Sequence, residues 1–323
     1  MKIIFLEQDA LFQRAGYNFE DIKSLGEVSR DRFVDFNDEE EIVNRLLGYQ
    51  VACLTKTKIS RKVIEQLPDL KLISVMATGY DNIDIVACKE HGIMVTNVPG
   101  YGRESVAQHA LSLLLEVTNR VGYHSHRIHQ GAWIENKSWQ FMERPMVHLA
   151  GKTMGIIGFG QIGQQMGNLA LALGMKVLAS ARRPKKELER EHLKFCSNEQ
   201  IFEEADVISI HAPANDQTRG LINKDTIARM KNGVIIINTG RGEIIVEEDL
   251  AEAIRSGKVY GAGLDVLNHE PMDKNNPLVG LDTCIITGHI ASSTPESYRK
   301  LVDIGLENIR AFIEGQPKNV VNS

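Results

Sequence analysis

The chain has 323 residues, 43% of them hydrophobic and 24% charged, with a formal net charge of −5. That length exceeds what one hydrophobic core usually serves and points to two domains of ordinary globular composition. Lysine and arginine are scattered rather than gathered in a stripe, and the longest apolar runs are strand-sized, so neither a nucleic-acid nor a membrane partner is expected.

The opening run Lys2-Ile3-Ile4-Phe5-Leu6-Glu7 is too short for a signal peptide and reads as a first strand. Further strands are predicted at residues 51–54, 71–76 and 93–96. Pro99-Gly100 is a break, and a single long helical stretch follows over residues 105–130. A second strand series is predicted at 153–158, 176–180, 206–211, 233–238, 261–266 and 284–287. Its runs are continuous rather than alternating, as in Val234-Ile235-Ile236-Ile237, which suits strands buried on both faces. A helix over 162–173 carries Ile162, Met166, Leu169, Ala170 and Leu173 at three- and four-residue spacing, and a last helix spans 295–314. Strand–helix alternation of this kind predicts parallel α/β sheets covered on both sides.

Four cysteines, Cys53, Cys88, Cys196 and Cys284, lie far apart and form neither a disulfide framework nor a zinc motif. With the missing leader, they point to the cytoplasm. His124, His126 and His129 cluster, but no acid stands among them and the first two do not share a helix face, so no metal is expected.

Gly158-Phe159-Gly160-Gln161-Ile162-Gly163 is a G-x-G-x-x-G that follows a predicted strand and opens an amphipathic helix. That context makes it a dinucleotide fingerprint, with the pyrophosphate on the helix N-terminus. An NAD site places an acid at the end of the next strand to bind the ribose hydroxyls. Here the strand runs into Ser180-Ala181-Arg182-Arg183, and the first acid is Glu187. Two guanidiniums and no carboxylate suit a 2′-phosphate, so NADP is expected as the preferred coenzyme, with NAD as the alternative.

Three segments end predicted strands where α/β ligand sites form: 238–242, 265–271 and 288–291. They carry Arg241, Glu270 and His289. Singly, each could be a surface turn arginine, a solvated acid or a satisfied strand-end histidine.

Taken together the chain resembles the D-isomer-specific 2-hydroxy-acid dehydrogenases. The matching segments run in order through Ala77–Asp84, Asn97–Gly100, Val106–His109, Gly151–Gly158, the fingerprint, His211–Pro213, Asn238–Gly242, Asp265–Pro271 and Gly288–Ala291. The resemblance implies two doubly wound α/β domains with a cleft between them: a flavodoxin-like substrate domain of residues 1–100 plus 292–323, and a Rossmann coenzyme domain of residues 101–291. It implies that His289 is the acid/base for the substrate carbonyl and that Glu270 pairs with its imidazole and favours the protonated form. Arg241 would hold the substrate carboxylate and polarise the carbonyl. The backbone N–H groups of Thr78 and Gly79 would bind that carboxylate, and Asp265 would meet the nicotinamide carboxamide. Gln161 and Ile162 would touch the pyrophosphate, while Ala212, Thr239 and Gly240 would line the nucleotide cleft. Gly288 stands where the family usually has proline, which is expected to loosen that loop.

The branch resembled most reduces hydroxypyruvate and glyoxylate and acts as a D-glycerate dehydrogenase in reverse. D-lactate and D-3-phosphoglycerate dehydrogenases are the rivals within the class, although the regulatory extension of many phosphoglycerate enzymes is not seen. Formate dehydrogenases carry glutamine where Glu270 stands. A nucleotide-sensing corepressor of the same fold is the alternative outside enzymology. The 105–130 helix resembles the family's dimer arm and carries Leu111, Leu113, Leu114, Leu115 and Val117, so a homodimer is expected, with Trp133 or Trp139 packed in the core or interface or reaching a partner's site.

Overall fold

A computed structural model describes residues 1–31 and 35–323, which divide into two compact units. The first comprises Met1–Gly102 and Ser293–Ser323, the second Arg103–Ser292.

In the first unit, strands β1 (Lys2–Leu6), β2 (Glu27–Asp31), β3 (Val51–Leu54), β4 (Leu72–Val75) and β5 (Met94–Thr96) form a parallel sheet in the order β2-β1-β3-β4-β5. Strands β3 and β4 are buried at every residue, because helices cover both faces. The last helix, Pro295–Ile313, returns to this unit. Its Val302, Leu306 and Ile309 join Ile3, Phe5, Leu72 and Met76 in one core. Gly305 allows that approach, since a Cβ there would lie 2.2 Å from the Met76 sulfur. Strand β2 was not among the sequence predictions. Its residues Glu-Val-Ser-Arg-Asp form a partly exposed edge with no apolar run.

The second unit holds β6 (Thr153–Ile157), β7 (Lys176–Ser180), β8 (Leu193–Phe195), β9 (Val207–Ile210), β10 (Val234–Asn238), β11 (Val259–Leu264) and β12 (Cys284–Ile286). All pairs are parallel, in the order β12-β11-β10-β9-β6-β7-β8. The strand order reverses between β6 and β9, and a crevice outside the carboxyl ends at such a switch is where ligands bind. The short β8 also escaped the sequence, having only three residues.

The long helix expected over 105–130 is broken. One helix runs Arg103–Asn119 and a second Val121–His129, with Arg120 between them at φ 54°. The Arg120 guanidinium is buried, donates to the Asp282 carbonyl and lies over the Tyr123 ring, contacts that hold the left-handed residue in place. Of the leucines expected to need a partner's cover, Leu113 and Leu114 are buried within the unit and Leu111 and Leu115 pack partly against the same core. The exposed apolar residues stand further on: Val121, Ile128, Trp133, Ile134, Trp139, Met142 and Met146. Among the described residues no helix is long and apolar enough to cross a membrane.

Candidate active site

The fingerprint turn sits between β6 and the helix Gln161–Ala172. Gly158 has φ 93°, and a Cβ there would lie 2.6 Å from the Ala212 backbone nitrogen. Both the torsion and the close approach of the loop after β9 demand glycine. Gly163 is equally constrained, its missing Cβ falling 2.3 Å from the Gly158 carbonyl oxygen. At Gly160, by contrast, a Cβ would point into open space, and Gly160 offers the helix no side-chain cap. The first-turn N–H groups of Gln161, Ile162 and Gly163 are therefore left for an outside acceptor, which fits a dinucleotide pyrophosphate.

The next strand is tied to this turn. Gly158 and Phe159 both donate backbone hydrogen bonds to the Ser180 carbonyl, each at 3.0 Å. Ala181 is half-buried, and Arg182 and Arg183 are exposed with no ion pair among the described residues. Ala212 is buried, and Gly240 approaches it so closely that a Cβ would lie 2.9 Å from the Ala212 carbonyl oxygen. Between them His211 bridges two hydroxyls, with its Nε2 2.9 Å from Ser209 Oγ and its Nδ1 3.2 Å from Thr239 Oγ1. Burial pushes the His211 imidazole down to about 4, so it is neutral in this position.

Arg241, Glu270 and His289 follow β10, β11 and β12, three neighbouring strands of the sheet. Gly242 brings the first two loops together: a Cβ there would lie 2.0 Å from the Leu267 carbonyl carbon. Asn238 pins the Arg241 backbone, its Nδ2 donating to the Arg241 carbonyl at 2.9 Å. Buried Glu247 fixes the following loop by accepting from the Asn268 backbone at 2.8 Å and from Asn276 Nδ2 at 2.7 Å. Glu270 Oε1 accepts from the Leu267 backbone at 3.1 Å, and its Oε2 meets His289 Nδ1 at 2.6 Å. With Nδ1 engaged, Nε2 of His289 is the nitrogen left to exchange a proton.

His289 itself has φ 55°, a backbone state that costs an L-residue roughly 1–2 kcal/mol. The loop around Gly288 is tied by several hydrogen bonds. Thr287 and His289 donate backbone bonds to the Leu264 and Asp265 carbonyls at 2.9 and 2.8 Å. The Asp265 carboxylate accepts from Thr287 Oγ1 at 2.6 Å and from the backbones of Ile290 and Ala291 at 2.9 and 2.8 Å. Asp265 is 2% exposed. Burial alone would raise its pKa, but the donors His109, Thr287, Ile290 and Ala291 outweigh that and hold it below the usual value. Expected at the carboxamide, Asp265 here turns both oxygens to the loop that carries His289. Sequence reasoning did not single out Thr287, Gly242 or His109; only the three- to four-residue spacing of His109 from Leu113 hinted that it faces the sheet.

Thr78 and Gly79 lie in the first unit, in the loop after β4. Asn97 Nδ2 donates to the Thr78 carbonyl at 2.7 Å and Thr78 Oγ1 donates to the Val98 carbonyl at 2.8 Å, while the backbone N–H groups of Thr78 and Gly79 have no acceptor among the described residues. His124 Nδ1 is 2.9 Å from the Arg120 carbonyl while its Nε2 is buried with no hydrogen-bond partner among the described residues, and His126 Nε2 is 2.9 Å from Gln130 Nε2.

Residues 111–291 match the sequence model of the D-isomer specific 2-hydroxyacid dehydrogenase NAD binding domain. The chain is 43% identical over 323 residues, 100% of both chains, to a hydroxypyruvate reductase of Blautia hydrogenotrophica. It is 36% identical over 286 residues to a glycerate dehydrogenase of Methylorubrum extorquens, covering 88% of this chain and 89% of that one. Among solved structures, an acyclic imino acid reductase in complex with NADPH and D-Arg aligns with a TM-score of 0.87 at 29% identity, over 99% of this chain and 100% of that one.

Proposed function

Because the chain belongs to the D-isomer-specific 2-hydroxyacid dehydrogenases and is thus an NAD(P)-dependent oxidoreductase, we propose that it reduces hydroxypyruvate, and glyoxylate beside it, to the corresponding 2-hydroxy acids. The choice of substrate rests on the names of its relatives, a hydroxypyruvate reductase and a glycerate dehydrogenase. The chemistry rests on one observation, the 2.6 Å pair between His289 Nδ1 and Glu270 Oε2 at the sheet's carboxyl edge.

A dinucleotide held at the 158–163 turn would supply the hydride for the carbonyl carbon. His289 gives the balancing proton from Nε2 to the carbonyl oxygen, and Glu270 orients the ring and stabilises the imidazolium. Arg241 holds the carboxylate and polarises the carbonyl through charge-assisted bonds. On the first unit, the backbone N–H groups of Thr78 and Gly79, which have no acceptor among the described residues, serve as carboxylate donors. Gly158, Gly160, Gln161, Ile162 and Gly163 cradle the pyrophosphate, while Ala212, Thr239 and Gly240 line the nucleotide site. The first unit acts as the substrate domain and the second as the coenzyme domain.

The coenzyme preference is for NADP, because Ser180, Ala181, Arg182 and Arg183 offer a hydroxyl and two exposed guanidiniums and no acid. The assembly is a homodimer, covering the exposed set that runs from Val121 to Met146. Four unpaired cysteines agree with the cytoplasm. Turnover of hydroxypyruvate, glyoxylate, pyruvate and 3-phosphohydroxypyruvate with NADPH and NADH tests the reading. Hydroxypyruvate should give the highest kcat/KM, and absence of turnover with all four would overturn it.

A further inference from the structure

We propose that His109 is a positioning residue for the loop that carries His289, acting through Thr287 and Asp265; the role rests on His289 being the acid/base argued above.

The helix Arg103–Asn119 packs on β11 without intervening side chains on the strand. A Cβ on Gly261 would lie 3.0 Å from Val117 Cγ1, and one on Gly263 would lie 2.7 Å from Leu113 Cβ. Two residues along a strand advance about 6.6 Å and four along a helix about 6.0 Å. Stepping Gly261, Gly263, Asp265 up the strand therefore matches stepping Val117, Leu113, His109 down the helix. The glycines that let the helix approach deliver His109 to the carboxyl end of β11, where Asp265 begins the loop.

The contacts follow that register. His109 Nε2 is 2.9 Å from Thr287 Oγ1 and 3.5 Å from Asp265 Oδ1. The single hydroxyl proton of Thr287 goes to Asp265 Oδ1 at 2.6 Å, so Nε2 of His109 must be the donor to Thr287. The relay thus runs one way, from imidazole N–H to hydroxyl to carboxylate. That carboxylate then takes the backbone N–H groups of Ile290 and Ala291, the two residues after His289. His289 sits in a left-handed backbone state that persists only when its surroundings fix it. The relay supplies that fixing through the backbone of the two residues after His289, whereas Glu270 holds the ring. His109 touches no reacting atom in this scheme. It determines where the His289 ring stands.

The test uses His109→Leu, His109→Gln, Thr287→Val and the double variant His109→Leu/Thr287→Val of the full chain, with kcat, KM and coenzyme Kd measured for hydroxypyruvate reduction. Small displacements of a catalytic group can cost up to about a hundredfold, so His109→Leu and Thr287→Val should each lower kcat about tenfold. Coenzyme Kd should be little changed. The double variant should be no worse than the worse single, because both break one chain. His109→Gln, which keeps an N–H donor, should recover most of the loss. Wild-type kcat in Thr287→Val, additive losses in the double variant, or a folded His109→Gln as impaired as His109→Leu would overturn the proposal. If His109→Leu does not fold, Thr287→Val decides alone. His289→Ala separates the two readings. Wild-type turnover there would sink the acid/base role, whereas loss there with undisturbed His109 and Thr287 variants would sink only the positioning role.

Discussion

Replacing Ala181 by Asp while changing Arg182 and Arg183 to Ala should turn the coenzyme preference from NADPH to NADH. The turn is held against the fingerprint, because Gly158 and Phe159 both donate to the Ser180 carbonyl at 3.0 Å. The backbone of the turn is therefore fixed beside the fingerprint, where the proposed site would receive the coenzyme's adenosine end. Arg182 and Arg183 are exposed and make no ion pair among the described residues, so neither has to break a contact to meet a 2′-phosphate. One charge-assisted bond contributes roughly 1.5–3 kcal/mol, and exposure favours the lower part of that range. The wild-type ratio of kcat/KM for NADPH over NADH should thus be about ten- to a hundredfold. The ratio should shrink as salt is raised, because exposed charges are screened. In the triple variant the new carboxylate accepts from the ribose hydroxyls and repels a phosphate, and the ratio should fall below one. Steady-state kinetics with both coenzymes measures this. Equal efficiencies in the wild type, or no swing in the variant, would refute the assignment of this turn.

Arg241→Lys keeps the charge but loses the planar fork, so KM for the 2-oxo acid should rise and kcat should fall together; lowered thermal stability with intact kinetics would make Arg241 a structural turn residue. His211 gives a pH prediction. Its folded-state value of about 4 lies below the unfolded one near 6.5, so the unfolded chain binds more protons in that window. Stability should be full above about pH 6.5 and decline as pH falls toward 4, by up to about 3 kcal/mol. Thermal melts at pH 7 and pH 5 should show a smaller acid-induced drop in His211→Gln than in the wild type, and equal drops would refute it. Light scattering at micromolar concentration should give a dimer mass, and Trp139→Asp should reduce it; a monomeric wild type would remove the interface.

What could be read from the sequence was whatever local pattern determines. The strands around Ile156 and Ile236 are continuous apolar runs of the kind that only a doubly covered parallel sheet buries, and their ends frame the fingerprint and Arg241. The edge strand Glu27–Asp31 left no such trace, since its partly exposed residues need no apolar pattern. The break at Arg120 was hidden for another reason. No glycine or proline stands at position 120 itself, and the guanidinium that holds the break reaches a carbonyl 162 residues away. Distance along the chain also concealed the partners of Asp265. His109 and Thr287 are 178 residues apart and meet only because two glycines let a helix lie close to β11. At Gly288 the loop has no proline ring, and backbone and carboxylate bonds tie the residues on either side of it.

In the proposed reaction His289, paired to Glu270, carries the proton in the reduction of a small 2-oxo acid. The most direct test of that role is the rate of NADPH-dependent hydroxypyruvate reduction in His289→Ala, with coenzyme binding measured on the same sample. Coenzyme affinity should be unchanged and turnover lower by about 10²–10⁴-fold, the usual worth of a positioned acid. Turnover near the wild-type rate in a variant that binds coenzyme normally would contradict it.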